Sequence, residues 1–372
     1  MSEPIYSPGL EGVIAGETAI STIAGGLQYR GYSIEDLAER ATFEEVSYLL
    51  VHGDPPGASQ LSAYRKRLAE SATIPQPLCD LLAAIPAGTP MMDIMRTGAS
   101  ALAHWDPETA DNSHGANVRK AEHLLAQLPV VMAARYRLAK GQKVVAYDRE
   151  LSLAGNILWM LFDKRPSDRL TKAMDVSLIL YAEHEYNAST FAARVVSSTL
   201  SDMHSAVSAA IGALKGPLHG GANEAVMAVL EEVGTADKAE DWIRDALAKK
   251  RRIMGFGHRV YKTGDPRATY LRTLCGELAT ETGNQDMESM ADTIETIVRG
   301  EKGLPPNLDW PSARLYHYMG LDVDLYTPLF VVSRVAGWAA HVIEQLDNNR
   351  LIRPRANYTG PAPRQWVPAK ER

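Results

Sequence analysis

Leu325–Ile343 reads LYTPLFVVSRVAGWAAHVI, the most apolar stretch of the chain. Its length would suit a membrane span, but Arg334 and His341 interrupt it, and ionisable side chains facing hydrocarbon are costly. The reading that fits is a helix buried inside protein. A guanidinium so placed needs an anion beside it, either a protein carboxylate or the carboxylate of a bound substrate.

Outward from this helix the same grammar repeats. Apolar residues at helical spacing, bounded by Gly and Pro, predict helices near 58–73, 91–105, 117–139, 147–161, 167–183, 188–213, 222–233, 238–250, 266–283, 286–300 and 325–347. A further helical run starts at Ser33, a candidate N-cap with Asp36 three residues on, and continues through Leu37, Phe43, Val46, Leu49 and Leu50 to the breakers at Gly53–Gly57. Only 13–21 and 26–30 look like strands, and they predict a small N-terminal β-hairpin. The fold class expected is all-α and multi-helical. No fixed period recurs, which argues against a solenoid.

Charge divides the chain. Residues 235–302 are dense in acids and bases, whereas 188–234 and 325–347 are poor in charge and rich in Ala, Val, Gly and Ser. Small residues let helices approach closely, so the second set is expected at the centre and the first in a more solvated unit. Two domains with a cleft between them are the architecture expected.

The chain has 372 residues, 45% hydrophobic and 23% charged, which allows a sizeable core without disulfides or metals and excludes disorder. Lys and Arg number 39 against 45 Asp and Glu, a net charge of −6, so no general nucleic-acid footprint is expected. Cys79 and Cys275 stand far apart in apolar helical contexts and read as buried, reduced thiols. The opening MSEPIYSPGLEGV has no basic stretch before an apolar core, so a cytoplasmic protein is expected.

Three histidines sit in unusual neighbourhoods. His219 lies in KGPLHGGANE, among breakers directly before a helix; open backbone and a helix N-terminus favour a neutral imidazole able to donate one hydrogen bond, although the ring also fits a plain helix start. His258 follows Met254, Gly255, Phe256 and Gly257, a glycine-rich loop flanked by Lys249, Lys250, Arg251 and Arg252 before it and Lys262 and Arg267 after it, which points to phosphate or carboxylate binding. The loop follows a helix where a dinucleotide or Walker motif needs a strand. His184 lies in AEHEYNAST; Glu185 opens no HExxH because position 188 is Ala, so a zinc site is not expected. Asp309, in PPNLDWPS, either caps a helix or serves as a general base whose apolar flanks raise its pKa. Arg353, in LIRPR, carries the same choice of anion as Arg334.

Together, GPLHGGANEAV, MGFGHRVYKTGDPRA, PPNLDWPSA, LYTPLFVVSRVAGWAAHVIEQ and NNRLIRPRANYTGP resemble the citrate synthase family, which includes the 2-methylcitrate synthases. GLEGVIAGETAIS, YRGYSIEDLAE and AEHEYNASTFAARV extend the resemblance over nearly the whole chain. It implies a helical homodimer in which a large domain of 1–217 and 317–372 and a small domain of 218–316 close on oxaloacetate to complete an acyl-CoA site. The family's catalytic residues fall on His219, His258 and Asp309. Its oxaloacetate ligands fall on His184, Arg267, Phe330 and Arg334, with Arg353 reaching across the dimer. The CoA side falls on Met254, Gly255, Phe256 and Gly257, with Lys250, Arg251 or Lys262 near the phosphates. Acetyl-CoA and oxaloacetate are the expected partners, with no cofactor or metal, no nucleic acid and no membrane. A propionyl-CoA enzyme and a catalytically silent binding module are the alternatives. Tyr186, Trp310 and Tyr326 depart from the family pattern, and Trp310 adjoins the expected base.

Overall fold

The computed structural model describes residues 6–258, 261 and 264–372. A three-stranded antiparallel sheet, β1 (Ser21–Thr22), β2 (Gln28–Tyr29) and β3 (Tyr32–Ser33), opens the chain in the order β1-β2-β3, pairing Ser21 with Tyr29 and Tyr29 with Tyr32. The expected hairpin is therefore shorter and gains a third strand, while 13–20 carries none. The polar backbone there finds side chains: Tyr186 Oη donates to Glu17 O at 2.9 Å, and Ala19 N–H donates to Glu344 Oε1 at 2.8 Å.

Sixteen α-helices follow among the described residues: α1 (Ile34–Arg40), α2 (Phe43–His52), α3 (Ala58–Ser71), α4 (Gln76–Ala84), α5 (Met91–Leu102), α6 (His114–Ala139), α7 (Leu153–Phe162) and α8 (Asp168–Tyr181), then α9 (Ala188–Ser197), α10 (Met203–Leu214), α11 (Ala222–Val233), α12 (Ala239–Ala248), α13 (Pro266–Thr282), α14 (Gln285–Lys302), α15 (Asp309–Tyr318) and α16 (Tyr326–Asp347). Two expected runs are split by caps. Thr42 and Glu45 form a reciprocal capping box that ends one helix and starts α2. Asp202 accepts Ser205 N–H at 2.8 Å and starts α10 after Leu200 has taken φ 67°. The run expected from 147 begins only at Leu153, behind the Ser152 N-cap. Helix α4 was not expected; it is short and starts after Pro75.

Helix α16 is buried almost throughout and packs against α2, α5, α6, α8, α9 and α10. Arg334 and His341 lie inside it, 1% and 0% exposed. Among the described residues no helix is long and apolar enough to cross a membrane. Helices α11 to α15 pack mainly on one another and meet the rest through α1, α8 and α16.

Candidate active site

The C-terminus of α8 builds the floor. A helix leaves its last four carbonyls without intrahelical partners, and here side chains from three elements take them. Ser333 Oγ donates to Leu178 O, Tyr29 Oη to Ile179 O at 3.1 Å, Arg267 Nη1 to Leu180 O at 3.5 Å and Arg334 Nε to Tyr181 O at 2.6 Å. The negative end of the helix dipole thus faces two guanidinium groups.

These arginines are partnered differently. Arg267, 6% exposed, makes a fork on Asp265 at 3.0 and 2.8 Å. Burial opposes its charge, and the Asp265 carboxylate more than offsets that, holding the guanidinium above its ordinary value. Arg334 stands over the Phe330 ring, 4.7 Å from its centroid, and its Nη1 has no hydrogen-bond partner among the described residues. Burial lowers its pKa to about 10, with Glu183 pulling the other way. A buried donor left unpaired beside an aromatic face is a place for an anion.

Behind Arg334 lies Glu183, 0% exposed. His341 bridges Glu183 and Arg194: Arg194 Nη1 donates to His341 Nδ1 at 2.8 Å, and His341 Nε2 donates to Glu183 Oε1 at 2.9 Å. Burial penalises the Glu183 charge, but His341 and Arg334 outweigh it and hold the carboxyl below its usual value.

His184, His258 and Tyr261 form one aromatic cluster above the arginines. Ring centroids are 5.4 Å apart for His184 and His258, 4.7 Å for His258 and Tyr261. His184 Nε2 lies 3.1 Å from Tyr261 Oη, and Tyr261 N–H donates to His258 Nδ1 at 3.3 Å. Burial first, then Arg267, Arg334 and His258, hold His184 well below the ordinary histidine value. A neutral imidazole beside two guanidinium groups adds a hydrogen bond without adding repulsion.

His219 approaches from the loop before α11. The helix that sets its chemistry is α9, not the one it precedes in sequence. Ser189 N–H, in the first turn of α9, donates to His219 Nε2 at 3.3 Å, and Ser189 Oγ lies 2.8 Å from the same nitrogen. A backbone amide can only donate, so the ring proton sits on Nδ1. Burial, then Arg334, lowers the pKa to about 4.

Asp309 is the first residue of α15 and is half-buried. Tyr181 Oη donates to its Oδ1 at 3.0 Å and lies 2.7 Å from Ser312 Oγ. Burial pushes the carboxyl up to about 6, with the Tyr181 hydrogen bond and Arg267 pulling back. Phe330 joins the two sides: its centroid is 4.5 Å from the Tyr181 ring and 6.2 Å from His219. A neutral donor therefore lies on one side of this apolar ring and, on the other, the tyrosine whose hydroxyl holds a carboxylate of raised pKa, over a floor with an unpaired guanidinium nitrogen.

The loop Met254–Gly257 closes the far side. Gly255 and Gly257 take φ 86° and 75°, and a Cβ on Gly255 would come within 2.8 Å of Val226 and 3.0 Å of Trp310. Phe256 stacks obliquely on Trp310, centroids 4.6 Å apart. Arg251 makes a fork on Glu232 at 2.6 Å through both nitrogens and lies against Trp242, and Lys250 adopts φ 56° beside it. Lys262 falls outside the described residues.

The structure thus brings together His184, His219, His258, Arg267, Asp309, Phe330 and Arg334. Arg353 stands apart, exposed on the C-terminal segment, where it lines a cavity of about 1030 Å³ with Glu17, Arg194 and Glu344. Sequence reasoning missed Tyr181, Ser189, Asp265 and Tyr261. Asp265 left a trace, an acid before Pro266 at a helix start; Tyr181 ends an apolar helical run and left none.

A family model described as the citrate synthase C-terminal domain matches residues 9–355. The chain belongs to the citrate synthase family. That family comprises acyltransferases that convert the acyl group to an alkyl group on transfer. The chain is 48% identical to citrate synthase 2 of Bacillus subtilis, covering 98% of each, and 45% identical to the 2-methylcitrate synthase of Shewanella oneidensis, covering 100% of this chain and 99% of that one. Among solved structures it matches the citrate synthase of the archaeon Thermoplasma acidophilum in ternary complex with carboxymethyl coenzyme A and oxaloacetate, with a TM-score of 0.93 at 35% identity over 99% of this chain and 100% of that one.

Proposed function

We propose that this citrate synthase family member condenses acetyl-CoA with oxaloacetate and hydrolyses the resulting citryl thioester to citrate and CoA. The observation that carries the reading is a pair joined through Phe330 and Tyr181: a His219 ring held neutral with its proton on Nδ1, and an Asp309 carboxyl, hydrogen-bonded by Tyr181, raised to about 6. A thioester methyl is a very weak carbon acid. Asp309 takes its proton while His219 Nδ1–H stabilises the enolate oxygen, in a site from which water is excluded.

His258, whose Nδ1 accepts from Tyr261, polarises the ketone of oxaloacetate and protonates the alkoxide as the carbon–carbon bond forms. Arg267, Arg334 and neutral His184 hold the oxaloacetate carboxylates, and the unpaired Arg334 Nη1 supports that placing. Water then cleaves the thioester, releasing CoA.

In this reading 218–316 is a small domain that closes on a large one of 1–217 and 317–372, and Met254–Gly257 meets the nucleotide end of CoA, with Lys250, Arg251 and Lys262 nearest its phosphates. The enzyme works in the cytoplasm as a homodimer in which the partner's Arg353 completes the oxaloacetate site; the exposure of Arg353 on its own chain supports this. The CoA thioester is substrate, and no cofactor takes part.

Free thiol released from acetyl-CoA and oxaloacetate tests the reaction. Asp309→Ala should lower turnover by a factor of about 100 to 10,000 while calorimetry still shows oxaloacetate binding. An equal loss of binding would return Asp309 to a helix cap. The second reading, a 2-methylcitrate synthase, is supported by the 45% identical Shewanella relative; the ratio of turnover with propionyl-CoA to that with acetyl-CoA decides between them.

A further inference from the structure

Residues 305–308 lead into α15, tying it to the glycine loop and to Asp265. Asn307 uses all of its polar groups. Its N–H donates to Gly255 O at 2.9 Å and its Nδ2 to Gly257 O at 2.9 Å, while its Oδ1 accepts Asp309 N–H at 3.1 Å and its carbonyl accepts Trp310 N–H at 3.2 Å. Gly257 N–H returns a bond to Pro305 O at 2.8 Å, and Phe256 bridges to Pro306. Leu308 N–H goes to Asp265 Oδ2 at 3.2 Å, the oxygen that also accepts from Arg267.

One planar amide therefore joins the glycine loop to the first amide of the helix that carries the carboxylate. Movement of the loop has few other outlets. Pro305 and Pro306 restrict the chain upstream, and Val226 and Trp310 close the space beside Gly255.

We propose that Asn307 is a positioning residue that transmits occupation of the 254–257 loop by the nucleotide end of the acyl-CoA to the orientation of Asp309. This rests on reading that loop as the nucleotide side of the site. A small misplacement of a reacting group, about 1 Å, lowers a rate by about a hundredfold, so a coupling of this kind would appear in turnover and not only in affinity. It also gives the enzyme a reason to enolise a full acyl-CoA better than a truncated thioester.

The test compares acetyl-CoA with acetyl-pantetheine, the same thioester without the nucleotide. In Asn307→Ser the hydroxyl still reaches the Asp309 amide but not Gly257 O. Turnover with acetyl-CoA should fall about tenfold or more, turnover with acetyl-pantetheine should stay within about twofold, and the dissociation constant of oxaloacetate should hold. Equal losses with both thioesters, or a change in KM for acetyl-CoA alone, would overturn the coupling. A wild-type protein that releases thiol from neither thioester in the presence of oxaloacetate would overturn the functional reading itself, and this inference with it.

Discussion

Arg334 and Arg267 are held by buried carbonyls and carboxylates from α8, α13 and the segment at Glu183, whereas the loop 254–257 opposite them is held largely by main-chain bonds to 305–307. The arginine floor belongs to tightly packed helices, and its ion pairs are shielded from water, where they are little screened by salt. The loop side depends on two glycines at positive φ and on the register of a short segment with two prolines. A floor of the first kind is preformed and recognises an anion before anything else is bound. A side of the second kind shifts by small amounts and suits a substrate that completes the site second. Under the proposed function, such an order protects the thioester from being enolised before oxaloacetate is held.

The sharpest way to break this contrast is to remove the unpaired guanidinium. Arg334→Met keeps the length of the side chain and packs beside Phe330, but it deletes the anion partner and leaves the Glu183 carboxylate with His341 and Ser21 as its hydrogen-bond partners among the described residues. Truncating one member of a buried, hydrogen-bonded charge pair costs about 2–5 kcal/mol, so oxaloacetate affinity measured by calorimetry should fall by about 30-fold or more. Thermal unfolding of the variant separates this from collapse of the core. Retained affinity in a folded variant would mean that the floor is not an anion site, and the comparison of the two sides would fail there.

The same contrast governs what the sequence reveals. Arg334 is legible because a guanidinium in an apolar helix violates the pattern around it, and His219, His258 and Asp309 stand out through glycine and proline neighbours. The helical architecture follows from periodicity, including α16 itself. The splits at Thr42 and Asp202 do not follow, because a cap of three or four residues scarcely disturbs an apolar period. Tyr181 and Ser189 also fit their helices' patterns, and their importance arises from what crosses over them in space: Asp309 is 128 positions from Tyr181, and His219 is 30 from Ser189. His219 teaches the same lesson. Burial and Arg334 keep its ring neutral, and the amide that fixes its tautomer comes from α9 and not from the adjacent α11, a contact that only the tertiary structure supplies.

Ser189 offers a middle-sized test. Its hydroxyl touches His219 Nε2 and Asn187 Oδ1 and accepts from Trp338 Nε1 at 3.1 Å. Ser189→Ala keeps the backbone amide on His219 but removes the hydroxyl contact. One hydrogen bond contributes about 0.5–1.5 kcal/mol, so turnover should fall by about tenfold at most, with oxaloacetate affinity nearly unchanged. A larger fall in oxaloacetate affinity than in turnover would place His219 on the floor side of the comparison, as a ligand of the acceptor.

The smallest expected effect is also the most specific, because it moves a pH and not a maximum rate. As the proposed base Asp309 works in its carboxylate form, and burial raises its pKa to about 6, so kcat/KM should fall on the acid side near pH 6 as it is protonated. His219 does not contribute to that limb, since its pKa lies lower, at about 4. Tyr181 Oη donates to the Asp309 carboxylate and so favours the charged form. In Tyr181→Phe that bond is gone while the ring stays beside Phe330, so the pKa of Asp309 must rise and the acid limb must move to higher pH, by less than about one unit for a bond of ordinary strength. An acid limb that stays in place would show that the titrating base is another group. A shift to lower pH would mean that Tyr181 had been stabilising the protonated acid, and the loop side would then need a different source for its base.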